Sequence, residues 1–391
     1  MLHRRQLLQT APLLLGSCIA PLGALAQSLT TALPASGTPI NRLAAAWRTA
    51  PGLGPADAGR DFVGLLDLDW TARQVRIAAQ MVLPHRAHGL QAEAHGGFLA
   101  VAARPGRYVL RCDAQGQAML HYNLDNEYPH RTLAGHITTS ADRQWLYTPE
   151  TDSSTGQGWV SVREHTTLRK VAEWPTHGID PHQCLVDAQG ALLLVNGGIP
   201  RDADGKKRNL DHMAPSLVRL DVTTGALLGR WRLNDSRLSL RHMAWSLASD
   251  SATRQPLLGI ALQAEHDDPL ARSSAPVLAV FDGTTLHIPT RSTLGGGYAG
   301  DIAAGPGGGF IVSGQKTKQG LLWHPDAPSE LHAIAELSEL CALAAWTNQG
   351  RSTGVVMGGA RGVARWHPTE PAAMLAWPQA MSPDNHWVLL G

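Results

Sequence analysis

The feature of this sequence that most constrains its fold is a strand-and-turn element that recurs along most of the chain. In each copy a short apolar run ends in a polar residue, and a turn and another strand follow. Helical periodicity is almost absent beyond the N-terminus, and Gly, Pro, Asp and Asn bound the runs, as in a chain of many short strands. Seven copies occur, 42 to 61 residues apart, and their terminal polar residues are Asp67, Asp113, Glu164, Asp221, Asp282, His324 and His367.

A repeat of this length matches one blade of a β-propeller, which has four strands and about 40–50 residues. A blade cannot bury both faces alone, so ring closure supplies the core and hides most strand edges. The last apolar run, His386 to Gly391, has no outer strand after it, and the first copy, near Asp67, lacks the inner strands that precede the others. We therefore predict an all-β fold: a single seven-bladed β-propeller over residues 60–391, closed by pairing of the C-terminal strand with the N-terminal blade. Eight blades or a pair of β-sandwiches are the alternatives.

The N-terminus has the pattern of an export signal. Two arginines, Arg4 and Arg5, precede an apolar stretch that two prolines interrupt and that is too short for a stable membrane span. The R-R-x-L-L pattern resembles a twin-arginine signal, which exports folded proteins. We predict such a signal over residues 1–26, a linker or lead-in over 27–59, a periplasmic location, and no transmembrane helix in the mature chain. Acylation of Cys18, giving a lipid-anchored protein, is the alternative.

Charge and cysteine usage exclude several classes of function. A formal net charge of +1 gives no reason to expect nucleic acid or a strongly acidic partner. Without Cys18 an odd number of cysteines remains, with no C-x-x-C, so neither a disulfide framework nor a c-type haem or zinc knuckle is indicated. The H-E-x-x-H motif of zincins is also missing from the sequence.

Histidine recurs at one place in the repeat. The inner strands of a propeller run along its central channel, so their equivalent ends meet around one mouth. Imidazole, carboxylate and thiolate are the transition-metal ligands of proteins. We therefore predict a ring of ligands for iron or copper at the starts of six inner strands, with the seventh strand beginning near Met381. The predicted ligands are His88, His136, His182, His242, Asp301 and Cys341.

Other polar residues fall near the same mouth, where they would attract an anion or an anion-bound metal. These candidate binding residues are Arg86, Arg131, Arg241, Glu150, Gln263 and Tyr298. The alternative is structural: one histidine per blade bonds a neighbouring blade, and Arg86 and Arg131 pair with surface carboxylates. Asp301 and Cys341 favour the ligand interpretation, because a structural histidine motif would not predict them.

Several segments of the chain resemble one exported bacterial family. They are A-R-P-G-R (103–107), L-A-G-H-I-T-T-S-A-D (133–142), E-W-P-T-H-G-I-D-P-H-Q (173–183), V-N-G-G-I (195–199), L-D-H-M-A-P-S-L-V-R-L-D (210–221), R-H-M-A (241–244) and G-G-Y-A-G (296–300). Over most of its mature length the chain is similar to the family known as domain of unknown function fifteen-thirteen, of propeller-like pattern. Members are often encoded beside imelysin-type iron-uptake proteins and haem peroxidase-like proteins. The resemblance therefore implies periplasmic iron handling, with such proteins as partners.

The sequence departs from that family at Thr151 and Gln183, where the family usually has Asn and Glu. The leading hypothesis is a monomeric periplasmic propeller that binds or transfers iron or copper through its histidines. The second is an interaction scaffold of an iron-uptake system, in which the histidines are structural. The third is a redox or lactonase-type enzyme, which would use Ca²⁺ on carboxylates that are scarce at this mouth. No catalytic residue is predicted, and whether the protein is an enzyme stays open.

Overall fold

The computed structural model describes residues 41–49, 59–126, 128–202, 205–247, 255–348 and 351–390. The predicted export signal, Cys18 and most of the predicted lead-in lie outside these ranges. Within them, no helix is long and apolar enough to cross a membrane.

The described residues form seven antiparallel sheets, which are the blades of a β-propeller, as the repeat predicts. Six blades have four strands each, and in blade 3 the inner strand is divided into two short pieces, β8 and β9. Blade 1 contains β1 (Asn41–Thr49), β2 (Asp61–Asp69), β3 (Gln74–Leu83) and β29 (Met381–Leu390). Blade 2 contains β4 (Ala87–Ala92), β5 (Phe98–Ala102), β6 (Tyr108–Cys112) and β7 (Ala118–Asn123). Blade 3 contains β8 (Arg131–Leu133), β9 (Thr138–Thr139), β10 (Trp145–Asp152), β11 (Gln157–Glu164) and β12 (Lys170–Ile179).

The remaining blades follow in chain order, each from its inner to its outer strand. Blade 4 contains β13 (Pro181–Val186), β14 (Leu192–Asn196), β15 (Ser216–Leu220) and β16 (Leu227–Trp231). Blade 5 contains β17 (Leu238–Trp245), β18 (Leu258–Ala264), the short helix α1 (Pro269–Ser274), β19 (Leu278–Phe281) and β20 (Leu286–His287). Blade 6 contains β21 (Ile302–Ala304), β22 (Phe310–Gly314), β23 (Gln319–Trp323) and β24 (His332–Glu336). Blade 7 contains β25 (Leu343–Asn348), β26 (Arg351–Gly359), β27 (Gly362–Trp366) and β28 (Ala373–Ala376).

Blade 1 closes the ring. The C-terminal strand β29 pairs with β1, and β1 pairs with β2, so the predicted closure is confirmed. One predicted boundary is wrong, because β1 falls within the linker expected over residues 27–59. The run A-A-A-W in β1 is poor in β-branched residues and gives a weak strand signal. Pairing on both edges and burial from Leu43 to Trp47 make it a strand nevertheless.

The apolar core lies between neighbouring blades. Trp47 and Trp387 of blade 1 pack in one cluster with Val356 of blade 7. Leu193 of blade 4 and Ile260 of blade 5 share another cluster. Each blade thus buries its faces against its neighbours, which is why the repeat is stable only as a ring.

The inner strands of five blades are irregular at one level of the channel. In blades 1, 2, 4 and 5 the pairing register shifts around residues 384–386, 88–89, 182–183 and 241–242 respectively. In blade 3 the same level falls in the gap between β8 and β9. A β-bulge re-aims the side chains of the bulged strand, and such bulges are common beside functional sites. The residues they re-aim form the site described next.

Candidate metal centre

Five histidines meet at this level and form a closed ring, which we call the histidine ring. Its members come from blades 2, 3, 4, 5 and 1 in that order: His88, His136, His182, His242 and His386. The centroids of successive imidazoles lie 4.9, 4.9, 4.6 and 4.2 Å apart, and 4.6 Å separates the last from the first. The first four residues are buried, and the side chain of His386 is only 12% exposed. The repeat register therefore brings together all four histidines that the sequence selects.

His386 is the member that the sequence analysis misses. It opens the recognised C-terminal apolar run, but the alignment places the seventh inner strand near Met381. The bulge over residues 384–386 brings His386 to the level of the other histidines. A signal was present, because the polar run Asp384, Asn385 and His386 directly precedes the apolar end of the terminal strand.

Four ring members present donor nitrogens close enough for a single ion. The donor atoms of His88, His136, His242 and His386 all lie within 4.8 Å of one another. With metal–nitrogen bonds of about 2.0–2.1 Å, two donors to one ion lie at most about 4.2 Å apart. The four donors would therefore have to move closer together to coordinate one transition-metal ion.

Two members of the ring are oriented by buried carboxylates. Asp384 Oδ1 lies 2.7 Å from His88 Nδ1, and Asp301 Oδ1 lies 3.1 Å from His386 Nδ1. Both carboxylates also accept backbone N–H groups, which fixes their own positions. A carboxylate that accepts the Nδ1 proton leaves the Nε2 lone pair available to a metal and raises its basicity. His88 and His386 thus have the support that metal-binding histidines usually have.

The other three members lack this support among the described residues. His182 Nε2 lies 2.8 Å from His242 Nε2, so one imidazole donates to the other. Within the part of the chain that the structure describes, three ring nitrogens are buried without a hydrogen-bond partner: Nδ1 of His182, Nδ1 of His242 and Nε2 of His136. Buried polar atoms nearly always have a partner. These nitrogens are therefore suited to an additional ligand at the ring.

Burial keeps most of these imidazoles neutral. It is the main cause that lowers the pKa of His136, His182 and His242 well below the ordinary value, and neighbouring histidines add to the effect. Burial also lowers the pKa of His88, against the opposing effect of Asp384. For His386 burial acts in the same direction, but the nearby carboxylate of Asp301 outweighs it and the pKa is raised. Neutral imidazole is the form that coordinates a metal.

Asp301 and Cys341 do not lie where the predicted ligand ring requires them. Asp301 stands behind His386, and its carboxylate accepts the Leu343 N–H as well. Cys341 is buried with its Sγ 3.7 to 3.9 Å from three backbone oxygens, and burial raises the pKa of its thiol to about 12. Its Sγ thus contacts the backbone of β26 and β29, and Cys341 is not among the described donor atoms that lie within 4.8 Å of one another.

Arg131 and Glu150 also lie outside the ring, as internal ties of blade 3. Glu150 is fully buried, and its Oε1 accepts from Arg163 Nη2 at 2.6 Å. Arg131 pairs with Asp152 at 2.7 Å and stacks over Trp159, with its guanidinium carbon 4.3 Å from the ring centroid. The repeat register gave the strand positions of these residues but not their partners.

A pocket of about 200 Å³ opens beside the histidine ring. Its wall includes the imidazoles of His88, His182 and His242. Four predicted binding residues also line it, together with three cationic residues that the sequence analysis did not select: Arg86, Arg241, Gln263, Tyr298, Arg104, Arg201 and Lys207. We call this space the cationic pocket.

Asp180 organises three of the arginines of the cationic pocket. It accepts from Arg104 and lies 3.1 Å from both Arg201 Nε and Arg241 Nη1. Burial alone would raise the pKa of Asp180, but the three guanidinium groups lower it. A Cβ at position 197 would lie 2.5 Å from Asp180 Oδ2 and 2.9 Å from Arg241 Nη1. The V-N-G-G-I segment therefore has glycine there because the network passes against its backbone.

A second close approach joins the bulges of blades 2 and 3. The Gly89 N–H donates to Gly135 O at 2.8 Å, and a Cβ on Gly89 would lie 2.3 Å from that oxygen. Gly135 has φ +100°, and a Cβ there would lie 2.9 Å from His88 Cδ2. Glycine at both positions lets His88 and His136 come together.

Comparisons with known proteins agree with the fold. A family model described as "Protein of unknown function (DUF1513)" matches residues 81–390. No curated protein matches the chain. A streptogramin B lyase structure is 11% identical with a TM-score of 0.51, over 75% of this chain and 83% of that one. A catalytically inactive virginiamycin B lyase from Staphylococcus aureus, solved with quinupristin, is 12% identical with a TM-score of 0.50, over 74% and 84%. At such identities the likeness supports the propeller fold alone.

Proposed function

The chain belongs to the DUF1513 family of proteins of unknown function, and from its histidine ring we propose that it binds one transition-metal ion at the channel mouth. The observation that carries this proposal is the convergence of five imidazoles, two of them backed by buried carboxylates. His88, His136, His242 and His386 are the proposed ligands, and His182 is their neighbour.

The donor set favours copper or iron over calcium. All four proposed donors are imidazole nitrogens, which suit copper, iron, nickel and zinc, whereas Ca²⁺ requires oxygen ligands. The Irving–Williams order puts Cu²⁺ above the other divalent ions at a nitrogen site, so Cu²⁺ should bind most tightly in solution. The cellular metal then depends on supply, and the family resemblance points to iron.

The side chains of the histidine ring and the carboxylates behind them have different roles in metal binding. Asp384 and Asp301 accept the Nδ1 protons of His88 and His386 and so direct their Nε2 atoms to the channel. Coordination through Nε2 would cost His242 its hydrogen bond with His182, whereas coordination through Nδ1, which has no partner among the described residues, would keep it. A bound copper or iron ion would supply Lewis-acid or one-electron chemistry.

We also propose that this binding serves metal storage or transfer in the periplasm. The R-R-x-L-L pattern at the N-terminus supports export, and the resemblance supports imelysin-like and haem peroxidase-like proteins as partners. A monomer is sufficient for the site, because one chain supplies every ring member.

An interaction scaffold is the second candidate. The observation that favours it is the His182–His242 hydrogen bond, which ties blade 4 to blade 5 in the way a structural histidine would. On that account, substitutions in the ring lower the melting temperature and leave the metal content unchanged.

The proposal is tested by the metal content of the full chain purified from the periplasm. We expect about one copper or iron ion per chain by elemental analysis, lost in the double variant His136→Ala/His386→Ala. The matched control is His332→Ala, because that side chain is 58% exposed and lies on an outer strand. A metal-free wild-type protein that takes up no Cu²⁺, or a double variant with unchanged metal content, would contradict the proposal.

A further inference from the structure

The cationic pocket carries more positive than negative charge. Its wall has five cationic side chains, and their carboxylate partners among the described residues are three. The cations are Arg86, Arg104, Arg201, Lys207 and Arg241, and the carboxylates are Asp180, Glu265 and Asp384. Five cationic side chains against three carboxylates leave two positive charges for a ligand to neutralise.

One of these cations has N–H groups that no described residue accepts. Arg241 is 3% exposed, and its Nε and Nη1 atoms have no hydrogen-bond partner in the described ranges, although Asp180 lies near Nη1. A buried guanidinium normally uses its N–H donors. Arg241 precedes His242 in the blade 5 bulge, so these donors lie beside the histidine ring.

We propose that the cationic pocket binds a small oxyanion of two negative charges, with carboxylate or phosphate oxygens, against the imidazoles of the ring. This inference rests on the proposed function, because it makes the anion a companion of the metal. The pocket is lined by His88, His182 and His242, so metal and anion share one wall.

The size and donors of the pocket define the class of ligand. At about 200 Å³ it is smaller than the roughly 300–1,000 Å³ of sites for drug-sized molecules. Guanidinium groups recognise carboxylate and phosphate through paired N–H donors. Tyr298 and Gln263 add neutral polar groups, and burial raises the pKa of Tyr298, which keeps its hydroxyl protonated. A compact dianion satisfies these groups, whereas an uncharged metabolite would leave the cations unpaired.

Binding of the anion and of the metal should be coupled. An oxyanion beside the ring lowers the electrostatic cost of placing a divalent cation next to five cationic side chains. By linkage, each ligand tightens the binding of the other by the same factor.

The test is calorimetric titration of the full chain with oxalate and, separately, with inorganic phosphate. Metal is first removed on a chelating resin, because soluble polycarboxylate chelators would compete for the pocket. We expect one anion per chain, and Arg201→Gln should weaken binding by at least about tenfold, since a hydrogen bond to a charged group is lost. Arg201 is 25% exposed, which makes this variant compatible with folding. Arg208→Gln is the matched control, because Arg208 is 62% exposed and pairs with Asp202, and neither residue lines the pocket.

The ring variant His136→Ala separates this inference from the proposed function. It should bind copper about 100-fold more weakly yet bind oxalate as tightly as the metal-free wild type, and copper at a concentration that loads only the wild type should tighten oxalate binding only there. A preference for oxalate or for phosphate identifies the source of the oxygens, and either supports the proposal. Absence of binding by both anions, or equal affinities of Arg201→Gln and Arg208→Gln, overturns it and leaves the metal-content result unaffected.

Discussion

In blades 1 to 5 the inner strand is bulged or broken where it reaches the channel mouth, and each of these blades places a histidine there. In blades 6 and 7 the inner strands β21 and β25 begin just after this level, and Asp301 and Cys341 precede them. Both side chains contact other parts of the protein: the Asp301 carboxylate lies beside His386 Nδ1, and the Cys341 thiol contacts backbone oxygens. The two kinds of blade therefore have different tasks at equivalent positions.

The difference shows how a propeller gains a site at one side of its axis. A regular strand points successive side chains to opposite faces, whereas a bulge turns neighbouring residues out of that alternation. Arg241 and His242 of one bulge thus both line the cationic pocket. Blade 6 adds no histidine to the ring and instead supports one. Its Asp301 carboxylate contacts His386 Nδ1 of blade 1 and accepts the Leu343 N–H of blade 7.

The largest expected effect comes from removing a histidine of the bulged blades. His386→Ala should weaken Cu²⁺ binding by more than about 100-fold, because it removes a ligand and not only a group behind one. Cys341→Ser, at the equivalent level of blade 7, should leave Cu²⁺ affinity within about threefold. Competition titration with a chromophoric chelator measures both. Equal losses in the two variants would remove the distinction between the two kinds of blade.

A smaller loss is expected when only the support from blade 6 is weakened. Asp301→Asn keeps the shape of the side chain but no longer draws the Nδ1 proton of His386 as strongly, so Cu²⁺ affinity should fall by about 10- to 100-fold. Asp282→Asn is the control, because Asp282 caps an outer turn of blade 5. An unchanged affinity in Asp301→Asn would show that this carboxylate does not orient a ligand.

The metal-free protein should lose stability on acidification from pH 7.5 to pH 5.5. His136, His182 and His242 have a lower pKa in the folded protein than in the unfolded chain. Their contribution is therefore present above the unfolded value of about 6.5 and decreases as the pH falls below it. His88 acts in the same sense as these three, and His386, with a raised pKa, acts in the opposite sense, so one residue of the ring opposes four.

Urea unfolding at the two pH values measures this dependence. His136→Gln should reduce the slope, because one of the buried neutral imidazoles is gone. A free energy of unfolding that is unchanged or larger at pH 5.5 would show that the folded protein keeps these imidazoles charged.

The smallest effect concerns the contact between the bulges of blades 2 and 3. Gly135→Ala should destabilise the protein by about 1–3 kcal/mol, because a left-handed backbone is strained for alanine and its Cβ would meet His88. Gly190→Ala is matched for the strain, with φ +83°, but a Cβ there meets no atom within 4 Å. Comparing the thermal unfolding of the two variants isolates the effect of the contact. We expect a lower melting temperature for Gly135→Ala than for Gly190→Ala. Equal melting temperatures would show that strain alone matters.

The sequence predicted the number of blades because every blade ends its third strand in a polar residue before a turn. It predicted four of the five ring histidines because inner strands reach the mouth at one level. It could not predict β1, whose alanines become a strand only through pairing on both edges. It did not predict His386 as a member of the ring, because a bulge changes the residue spacing of that strand.

The cationic pocket was harder to read from the sequence. Arg201 and Lys207 lie in the long connection between β14 and β15, which has no counterpart in the repeat. Arg104 lines the pocket and pairs with Asp180, which lies 76 residues away in the sequence. Likewise, the local sequence pattern does not indicate that Glu150 pairs with Arg163 inside blade 3. Partners fixed by tertiary structure decide these roles.

The central claim is tested most directly by an anomalous difference map from crystals of the Cu²⁺-loaded full chain, collected at the copper absorption edge. We predict one strong peak inside the histidine ring, about 2.0–2.2 Å from nitrogens of His88, His136, His242 and His386. A map with no peak inside the histidine ring, or with peaks only at exposed histidines on outer strands, would contradict the account.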